Sequence, residues 1–381
     1  MANDKLYSAK STKNDEFYTQ YVDIEKEMNA YLDYNQDVFK NKTILLPCDD
    51  PEWSNFTKYF AQNFNRFGLK KLISTSYAVE SKYYKDYQPS LFETESPLFD
   101  NIKTRTNGKI FILEKDENGD GKIDVDDLKW NYLDGDGDFR SQECIELLKQ
   151  ADIVVTNPPF SLFREYIAQL IEYKKSFLII GNQNALTYKE IFSLIKENKI
   201  WLGYHSGDMK FVVPDYYAPR NTRFWQDENG RKWRSLGNIC WFTNLDIAKR
   251  HEELVLYKSY SSDEYPHYEN FDAINCDKTS DIPMDYNGVI GVPITFISIY
   301  SPDQFEIVGL GIVGSCEFTN ERRMEILDKN GVPTGKYTVN AKGTLYRKHL
   351  ESDKKPAAFK DCETGELYQS IYARILIKRK Q

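Results

Sequence analysis

The sequence is poor in several residues and patterns on which common protein functions depend. It has only four histidines in 381 residues, and none of them stands in an HxxxH spacing. A zinc site or a serine–histidine–aspartate triad therefore has little support, and we expect no metal centre. The six cysteines are scattered without a CxxC pair, which is typical of reduced thiols in the cytoplasm.

Long apolar runs are also absent from the sequence. No run approaches the roughly 20 residues that a membrane-spanning helix needs. The first residues, 1–19, are polar and contain no apolar segment of a secretory signal. We therefore expect a cytoplasmic protein that does not enter a membrane.

Most of the negative charge is concentrated in one segment. The formal net charge is −8, which by itself disfavours a nucleic-acid partner. Residues 114–143, however, hold eleven acidic and four basic side chains and so carry nearly all of the excess. We interpret this segment as an acidic insertion. The remainder is close to neutral and is compatible with a local basic groove, which phosphate binding requires.

Up to residue 199, short apolar runs alternate with amphipathic helical patterns. This alternation predicts an α/β domain whose mostly parallel sheet carries helices on both faces. After residue 200, turn-forming residues become frequent and aromatic residues alternate with basic ones, so we place a domain boundary there. The predicted strands are 43–47, 71–76, 109–113, 152–156 and 176–180, and the predicted helices are 23–32, 54–64, 162–173 and 189–196.

The tetrapeptide Asn157-Pro158-Pro159-Phe160 directly follows the predicted strand 152–156, at the end of the strand where open parallel sheets bind ligands. The side-chain oxygen of Asn157 and the backbone carbonyl of Pro158 can each accept a hydrogen bond from an exocyclic amine such as N6 of adenine. The prolines restrict the backbone, and Phe160 offers an apolar face for a base. The pattern indicates methylation of an amine through positioning and electrostatics. The alternative is a rigid turn with Phe160 in the core.

Two further segments have the composition to line a nucleotide-like cofactor. Segment 48–56 follows the first predicted strand, and its Ser54 is placed to cap the next helix. The usual glycine-rich turn is missing there, so a capped strand-to-helix turn is the alternative. Segment 137–141 places Asp138 beside Phe139, and this pair could hydrogen-bond to an adenine and stack on it. An acidic surface turn is the alternative for this second segment.

The segments DEFYT, CDDPEWSNF, GDGDFRS and NPPF occur in this order, and the set closely resembles the adenine-specific DNA methyltransferases of the EcoRI type. The resemblance covers most of residues 13–200 and continues more loosely beyond them. It implies a Rossmann-like methyltransferase fold that uses S-adenosylmethionine. The residues it assigns are Phe17, Tyr18 and Thr19 near the methionine end of the cofactor, Cys48, Asp49, Asp50, Ser54 and Asn55 at its binding turn, Asp138 and Phe139 at its adenine, and Asn157, Pro158, Pro159 and Phe160 in catalysis.

The activity that the resemblance implies is transfer of a methyl group to N6 of adenine within a specific double-stranded DNA sequence. A base inside a duplex must be flipped out to reach such a pocket. Residues 1–199 would form the catalytic domain, and 200–381 would mainly recognise the target. A cognate restriction endonuclease acting on the same site is a further partner to expect.

Segment 216–234, which is rich in aromatic and basic residues, is the candidate DNA-facing surface. Its Arg220, Arg223 and Arg234 could contact phosphates or guanine edges. The alternative for this segment is a solvated hairpin with ordinary charges. For the whole chain, the alternatives are an RNA adenine methyltransferase, a non-catalytic nucleic-acid-binding protein that keeps the fold, or a calcium-regulated binding protein.

The segment DENGDGKIDVDD, residues 116–127, matches the template of a calcium-binding loop at Asp116, Asn118, Asp120 and Gly121. The twelfth position, however, is Asp127 where glutamate is usual, and the preceding run predicts a strand rather than the entering helix of a calcium hand. We therefore expect weak calcium binding at most and no requirement for this segment in catalysis.

Overall fold

A computed structural model describes residues 17–48, 54–78, 94, 96–215 and 217–380. The chain divides into two compact units. The first contains the described residues up to Ala185 together with Ile200–Ala248, and the second contains Leu186–Lys199 together with the residues from Lys249 onward.

The first unit is built on a nine-stranded sheet with the order β4-β3-β2-β1-β5-β6-β9-β7, in which β8 also pairs with β9. The central pairs β2–β1, β1–β5 and β5–β6 are parallel, whereas the outer pairs are antiparallel. Its strands are β1 (Thr43–Leu46), β2 (Lys71–Thr75), β3 (Lys109–Leu113), β4 (Lys129–Tyr132), β5 (Ile153–Thr156), β6 (Ser176–Asn182), β7 (Trp201–Val213), β8 (Phe224–Gln226) and β9 (Lys232–Thr243).

Three helices of the first unit, Tyr21–Tyr34, Asn55–Gln62 and Phe163–Glu172, fall close to predicted segments, whereas the helices at 103–106 and 142–150 were not predicted. Ser54 caps the second helix, since its hydroxyl accepts hydrogen bonds from the backbone N–H groups of Phe56 and Thr57, as the sequence predicted. No described helix is both long and apolar enough to cross a membrane. These helices are α1 (Tyr21–Tyr34), α2 (Asn55–Gln62), α3 (Phe64–Phe67), α4 (Lys103–Thr106), α5 (Gln142–Gln150) and α6 (Phe163–Glu172).

The prediction of a mixed α/β fold is confirmed, but two of its details are corrected. Antiparallel strands flank the parallel centre on both sides, so the sheet is not mostly parallel. The structure also does not divide the chain at residue 200, because β7 and β9 add to the sheet beside β6. Neither strand could be recognised from apolar runs, since exposed and half-buried positions interrupt the burial of both.

The second unit contains one described helix, α7 (Lys189–Lys196), and two sheets. The four-stranded sheet has the order β10-β11-β18-β12, and the five-stranded sheet has the order β14-β13-β16-β17-β15. Their strands are β10 (Ile274–Asn275), β11 (Ile290–Pro293), β12 (Phe305–Leu310), β13 (Met324–Leu327), β14 (Pro333–Thr338), β15 (Leu345–Lys348), β16 (Phe359–Asp361), β17 (Leu367–Ile371) and β18 (Arg374–Arg379).

A buried carboxylate fixes α1 to an irregular part of β7. Glu27, on α1, is fully buried, and its two carboxylate oxygens accept hydrogen bonds from the backbone N–H groups of Tyr204 and His205, each at 2.8 Å. The Tyr31 hydroxyl donates to the same carboxylate. These bonds satisfy backbone groups at the point where the register between β7 and β9 shifts, after Leu202.

Candidate active site

The tetrapeptide predicted to be catalytic and the turn predicted to bind the cofactor follow neighbouring strands at the same edge of the sheet. β1 and β5 are adjacent and parallel, so Pro47 after β1 and Asn157 after β5 leave the sheet at neighbouring carboxyl ends. The buried Thr156 hydroxyl donates a hydrogen bond to the carbonyl of Pro47. This bond ties the two loops together directly beneath the site.

The Asn157 side chain has a defined orientation. Its Nδ2 donates to the backbone carbonyl of Phe17 at 2.7 Å and lies 3.3 Å from Oγ1 of Thr19. A carbonyl can only accept a hydrogen bond, so the nitrogen of the amide must face Phe17. Among the described residues none donates to Oδ1 of Asn157, which leaves this oxygen as an acceptor for another group.

The segment around Thr19 is itself held on two sides. The backbone N–H of Tyr18 donates to the carbonyl of Val212, the next-to-last residue of β7, at 2.9 Å. Nδ2 of Asn55, the first residue of α2, donates to the carbonyl of Thr19 at 2.7 Å. The segment therefore connects the outer strand β7 to α2 and contacts Asn157 between them.

Phe160 is partly buried and packs against the core of the first unit. Its ring stacks on that of Phe17, with the ring centroids 5.6 Å apart and the planes inclined by 20°. Phe17 also contacts Phe211 and Tyr217, with centroid distances of 5.4 and 6.1 Å. Phe17 covers one side of the Phe160 ring. The other, partly buried side of the ring is the surface that a base could contact.

An open pocket lies beside this edge of the sheet. Phe139 lines it, stands edge-on to Tyr166 at a centroid distance of 5.0 Å, and accepts a hydrogen bond on its carbonyl from Gln169. The lining is mainly apolar, which suits a flat heterocycle. The complete lining is Leu45, Pro47, Thr75, Gly137, Phe139, Cys144, Leu147, Leu148, Tyr166 and Gln169.

Gly137 is required by the backbone that carries Phe139 to this pocket. Its φ is +80°, in the left-handed region that favours glycine. A Cβ atom at this position would lie 2.1 Å from the backbone carbonyl oxygen of Ser76. This role is not evident from the sequence, although Gly137 belongs to segment 137–141.

Asp138 is held by its neighbour Arg140. The guanidinium donates to Oδ1 from Nε at 2.9 Å and to Oδ2 from Nη2 at 2.7 Å, and the resulting hydrogen bonds lower the pKa of the Asp138 carboxyl. The carboxylate is thus ionised at neutral pH and remains an acceptor, because each oxygen has a second lone pair. Arg140 was not singled out in the sequence.

The predicted first turn is only partly described. Asp49 and Asp50 lie outside the described residues, as do Asp15 and Glu16 of the DEFYT segment. Cys48 has a φ of +69°, so it adopts the left-handed conformation that a glycine-rich turn would usually supply.

The three arginines proposed for DNA differ in their surroundings. Arg220 is exposed and lies over the Tyr217 ring at 5.8 Å. Arg223 pairs with Asp208 at 2.8 Å, and Arg234 donates to the backbone carbonyls of Thr222 and Arg223. The last two therefore brace the turn before β8, while the Arg220 guanidinium has no carboxylate partner among the described residues. Tyr216 lies outside the described part of the chain.

The acidic segment 116–127 connects the antiparallel strands β3 and β4, so it is a hairpin loop that follows a strand, as predicted. Asp127 is buried and accepts hydrogen bonds from the backbone N–H groups of Glu117, Asn118 and Asp124. These bonds lower the pKa of Asp127 and give this carboxylate a structural role. Within the described ranges no group of His, Cys, Asp or Glu is arranged to hold a metal ion. Weak calcium binding stays a prediction.

The fold is that of an α/β protein with an open pocket beside a loop whose oxygens can accept hydrogen bonds. The chain matches the family model described as "Adenine-specific methyltransferase EcoRI" over residues 5–380 and therefore belongs to this family. The resemblance found in the sequence is confirmed, and the protein is an adenine-specific DNA methyltransferase.

Curated relatives agree with this assignment. The chain is 49% identical to the Type II methyltransferase M.EcoRI of Escherichia coli over 329 residues, which cover 83% of this chain and 94% of the relative. It is 39% identical to the Type II methyltransferase M.MgeORF184P of Mycoplasma genitalium, over 79% of this chain and 84% of the relative. It is 35% identical to the Type II methyltransferase M.MpnI of Mycoplasma pneumoniae, over 79% of this chain and 83% of the relative. No solved structure gives a significant match.

The close packing at Gly137 yields a first prediction. Gly137→Ala should lower the free energy of unfolding by about 2 to 4 kcal/mol, because the new Cβ collides with Ser76 and the φ is unfavourable. It should also weaken the binding of S-adenosylmethionine, since Phe139 is displaced. Chemical denaturation and calorimetric titration measure the two effects.

Gly135→Ala is the matched control for this change. Its Cβ would have its nearest contact at 3.7 Å, with Oε2 of Glu143, so both quantities should stay close to those of the unmodified enzyme. Equal effects of the two substitutions would contradict the role given to Gly137.

Proposed function

We propose that this enzyme transfers a methyl group from S-adenosylmethionine to the N6 amine of an adenine that is flipped out of a specific double-stranded DNA sequence. The observation that carries the proposal is the orientation of Asn157, whose amide nitrogen is bound by Phe17 and whose oxygen accepts no hydrogen bond from the described residues. An amine needs acceptors, and the loop supplies Oδ1 of Asn157 and the carbonyl of Pro158.

The N6 amine is a poor nucleophile because its lone pair is delocalised into the adenine ring. Two acceptors that bind its two hydrogens favour a pyramidal nitrogen and leave the lone pair free to point at the methyl donor. Such catalysis depends on the positions and dipoles of fixed groups. Pro158 is buried and Pro159 follows it, so the backbone carbonyl that must accept has little freedom to rotate.

The pocket lined by Phe139 is the place that we assign to the adenine part of the cofactor. It is mainly apolar, it opens at the carboxyl ends of β1 and β2, and Asp138 beside it is an ionised acceptor for an amine or a hydroxyl. Bound S-adenosylmethionine would supply the electrophilic methyl group. Cys48 and Ser54 border the same turn. The central parallel strands and this site support a Rossmann-like methyltransferase sheet.

Arg220 is the residue that we favour for contact with DNA phosphates. It is exposed and lies on Tyr217, which touches Phe17 and thereby adjoins the catalytic loop. Arg223 and Arg234 would act mainly by shaping this surface. We retain target recognition for 200–381, with the qualification that residues 200–248 belong to the first unit.

The cellular role follows from the same proposal. Because the substrate is the DNA of the host cell, the enzyme acts in the cytoplasm. The relatives carry the name Type II methyltransferase, which supports a restriction–modification system in which an endonuclease recognises the same sequence.

The reaction product provides the direct test. Duplex DNA incubated with the enzyme and labelled S-adenosylmethionine should yield N6-methyladenine after digestion to nucleosides, within one sequence context. Label on cytosine, or label accepted only by RNA of the same sequence, would contradict the proposal.

Asn157→Ala should abolish methyl transfer while S-adenosylmethionine binding survives. Removal of the acceptor should lower kcat at least a hundredfold, as the loss of other preorganised transition-state contacts does (about 10² to 10³). Single-turnover rates and calorimetry separate the two quantities. A variant that keeps more than a few per cent of kcat would show that Asn157 is not the acceptor.

Arg220→Ala should weaken DNA binding and reduce the slope of log K against log[salt] by about 1, as expected for one lost phosphate contact. Arg223→Ala should change the slope less, because its guanidinium is already paired with Asp208. Fluorescence anisotropy over a salt series measures both. Unchanged slopes, even with both arginines removed, would place the DNA-binding surface elsewhere.

A further inference from the structure

We propose that Thr19 and Asn55 are positioning residues that fix the orientation of the Asn157 amide. The inference rests on the proposed role of Asn157 and deepens it. The family resemblance assigned both residues to the cofactor, but the hydrogen bonds that the structure gives them lead to the catalytic loop.

The connection consists of three hydrogen bonds. Nδ2 of Asn55 donates to the carbonyl of Thr19 at 2.7 Å, which fixes the backbone of the segment. This segment then offers two oxygens to Nδ2 of Asn157, the carbonyl of Phe17 at 2.7 Å and the hydroxyl of Thr19 at 3.3 Å. Thr19 is only 3% exposed, so its hydroxyl is shielded from competing water.

An asparagine side chain needs such partners because its two ends have nearly the same shape. Rotation by half a turn exchanges the oxygen and the nitrogen at little steric cost, and hydrogen bonds decide between the two states. In the wrong state, Asn157 would point an N–H group at the substrate amine, which requires an acceptor. The flipped state would also leave the Phe17 carbonyl facing an oxygen.

The supports of the segment are rigid elements. Asn55 is the first residue of α2, whose preceding residue Ser54 caps the helix and is 2% exposed. On the other side, Tyr18 is bound to Val212 of β7. A residue anchored in this way can hold the Asn157 amide in place before the substrate arrives, which is how preorganised sites lower the barrier of the chemical step.

A positioning role and a cofactor-binding role predict different kinetics. Loss of positioning lowers kcat at saturating S-adenosylmethionine and leaves the Kd of the cofactor unchanged, whereas loss of a cofactor contact raises that Kd. Thr19→Val removes the hydroxyl and keeps the shape of the side chain. Thr19→Ser is the conservative rescue, since it restores the hydroxyl on a smaller side chain.

We expect Thr19→Val and Asn55→Ala each to lower kcat by about fivefold to tenfold, the effect of one lost hydrogen bond. The Kd of S-adenosylmethionine, measured by calorimetry, should stay within about twofold of the unmodified value. Thr19→Ser should recover most of the lost rate. If Thr19→Val instead raises Kd with kcat intact, or if the serine variant is as slow as the valine variant, the positioning role is wrong.

A double-mutant cycle with Asn157→Ala completes the test. If Asn55 acts through Asn157, Asn55→Ala should lower the residual single-turnover rate no further once Asn157 is removed. A full additional loss of rate in that background would overturn the inference. The unmodified enzyme in the same assay separates the proposed function from the positioning role. If it forms no N6-methyladenine, the proposed function is contradicted. If it is active but the rate losses of Asn55→Ala and Asn157→Ala are additive, only the positioning role is contradicted.

Discussion

The hydrogen bond between the amide nitrogen of Asn157 and the carbonyl of Phe17 is the contact on which the proposed chemistry of this site depends. It determines which end of a nearly symmetric side chain is turned away from Phe17 and is left for a substrate. The segment that carries the Phe17 carbonyl is held by the hydrogen bond from Tyr18 to Val212 of β7 and by the one from Asn55 of α2 to Thr19. The outer antiparallel part of the sheet therefore takes part in orienting a residue that follows a central parallel strand.

The second constraint is the close approach of backbones around the cofactor pocket. β1 and β5 are neighbours, and the Thr156 hydroxyl joins their two loops through Pro47. On the far side, Gly137 brings its chain against Ser76 at a distance that no side chain would permit. The pocket and the loop at Asn157 share one edge of the sheet because β1 and β5 are adjacent and parallel and because Pro47, after β1, also lines the pocket.

Individual charged side chains differ in the partners that surround them. Asp127 satisfies backbone N–H groups within the acidic hairpin, so the hairpin does not depend on a cation for that carboxylate. Arg223 is neutralised by Asp208, whereas Arg220 retains an exposed guanidinium over an aromatic ring. A net negative protein can thus keep cationic contacts beside its catalytic loop, because phosphate binding responds to the nearby charges more than to the total.

Sequence alone determined the family, the reaction, the position of the NPPF tetrapeptide after a central strand, the Ser54 cap and most of the helices, because these depend on local order and periodicity. Only the tertiary structure decided that β7 and β9 complete the first sheet and that Thr19 and Asn55 reach the catalytic loop. Phe17 and Asn157 are 140 positions apart in the chain. Their contact follows from the packing of several strands, and no local pattern of residues specifies which distant groups that packing brings within hydrogen-bond distance.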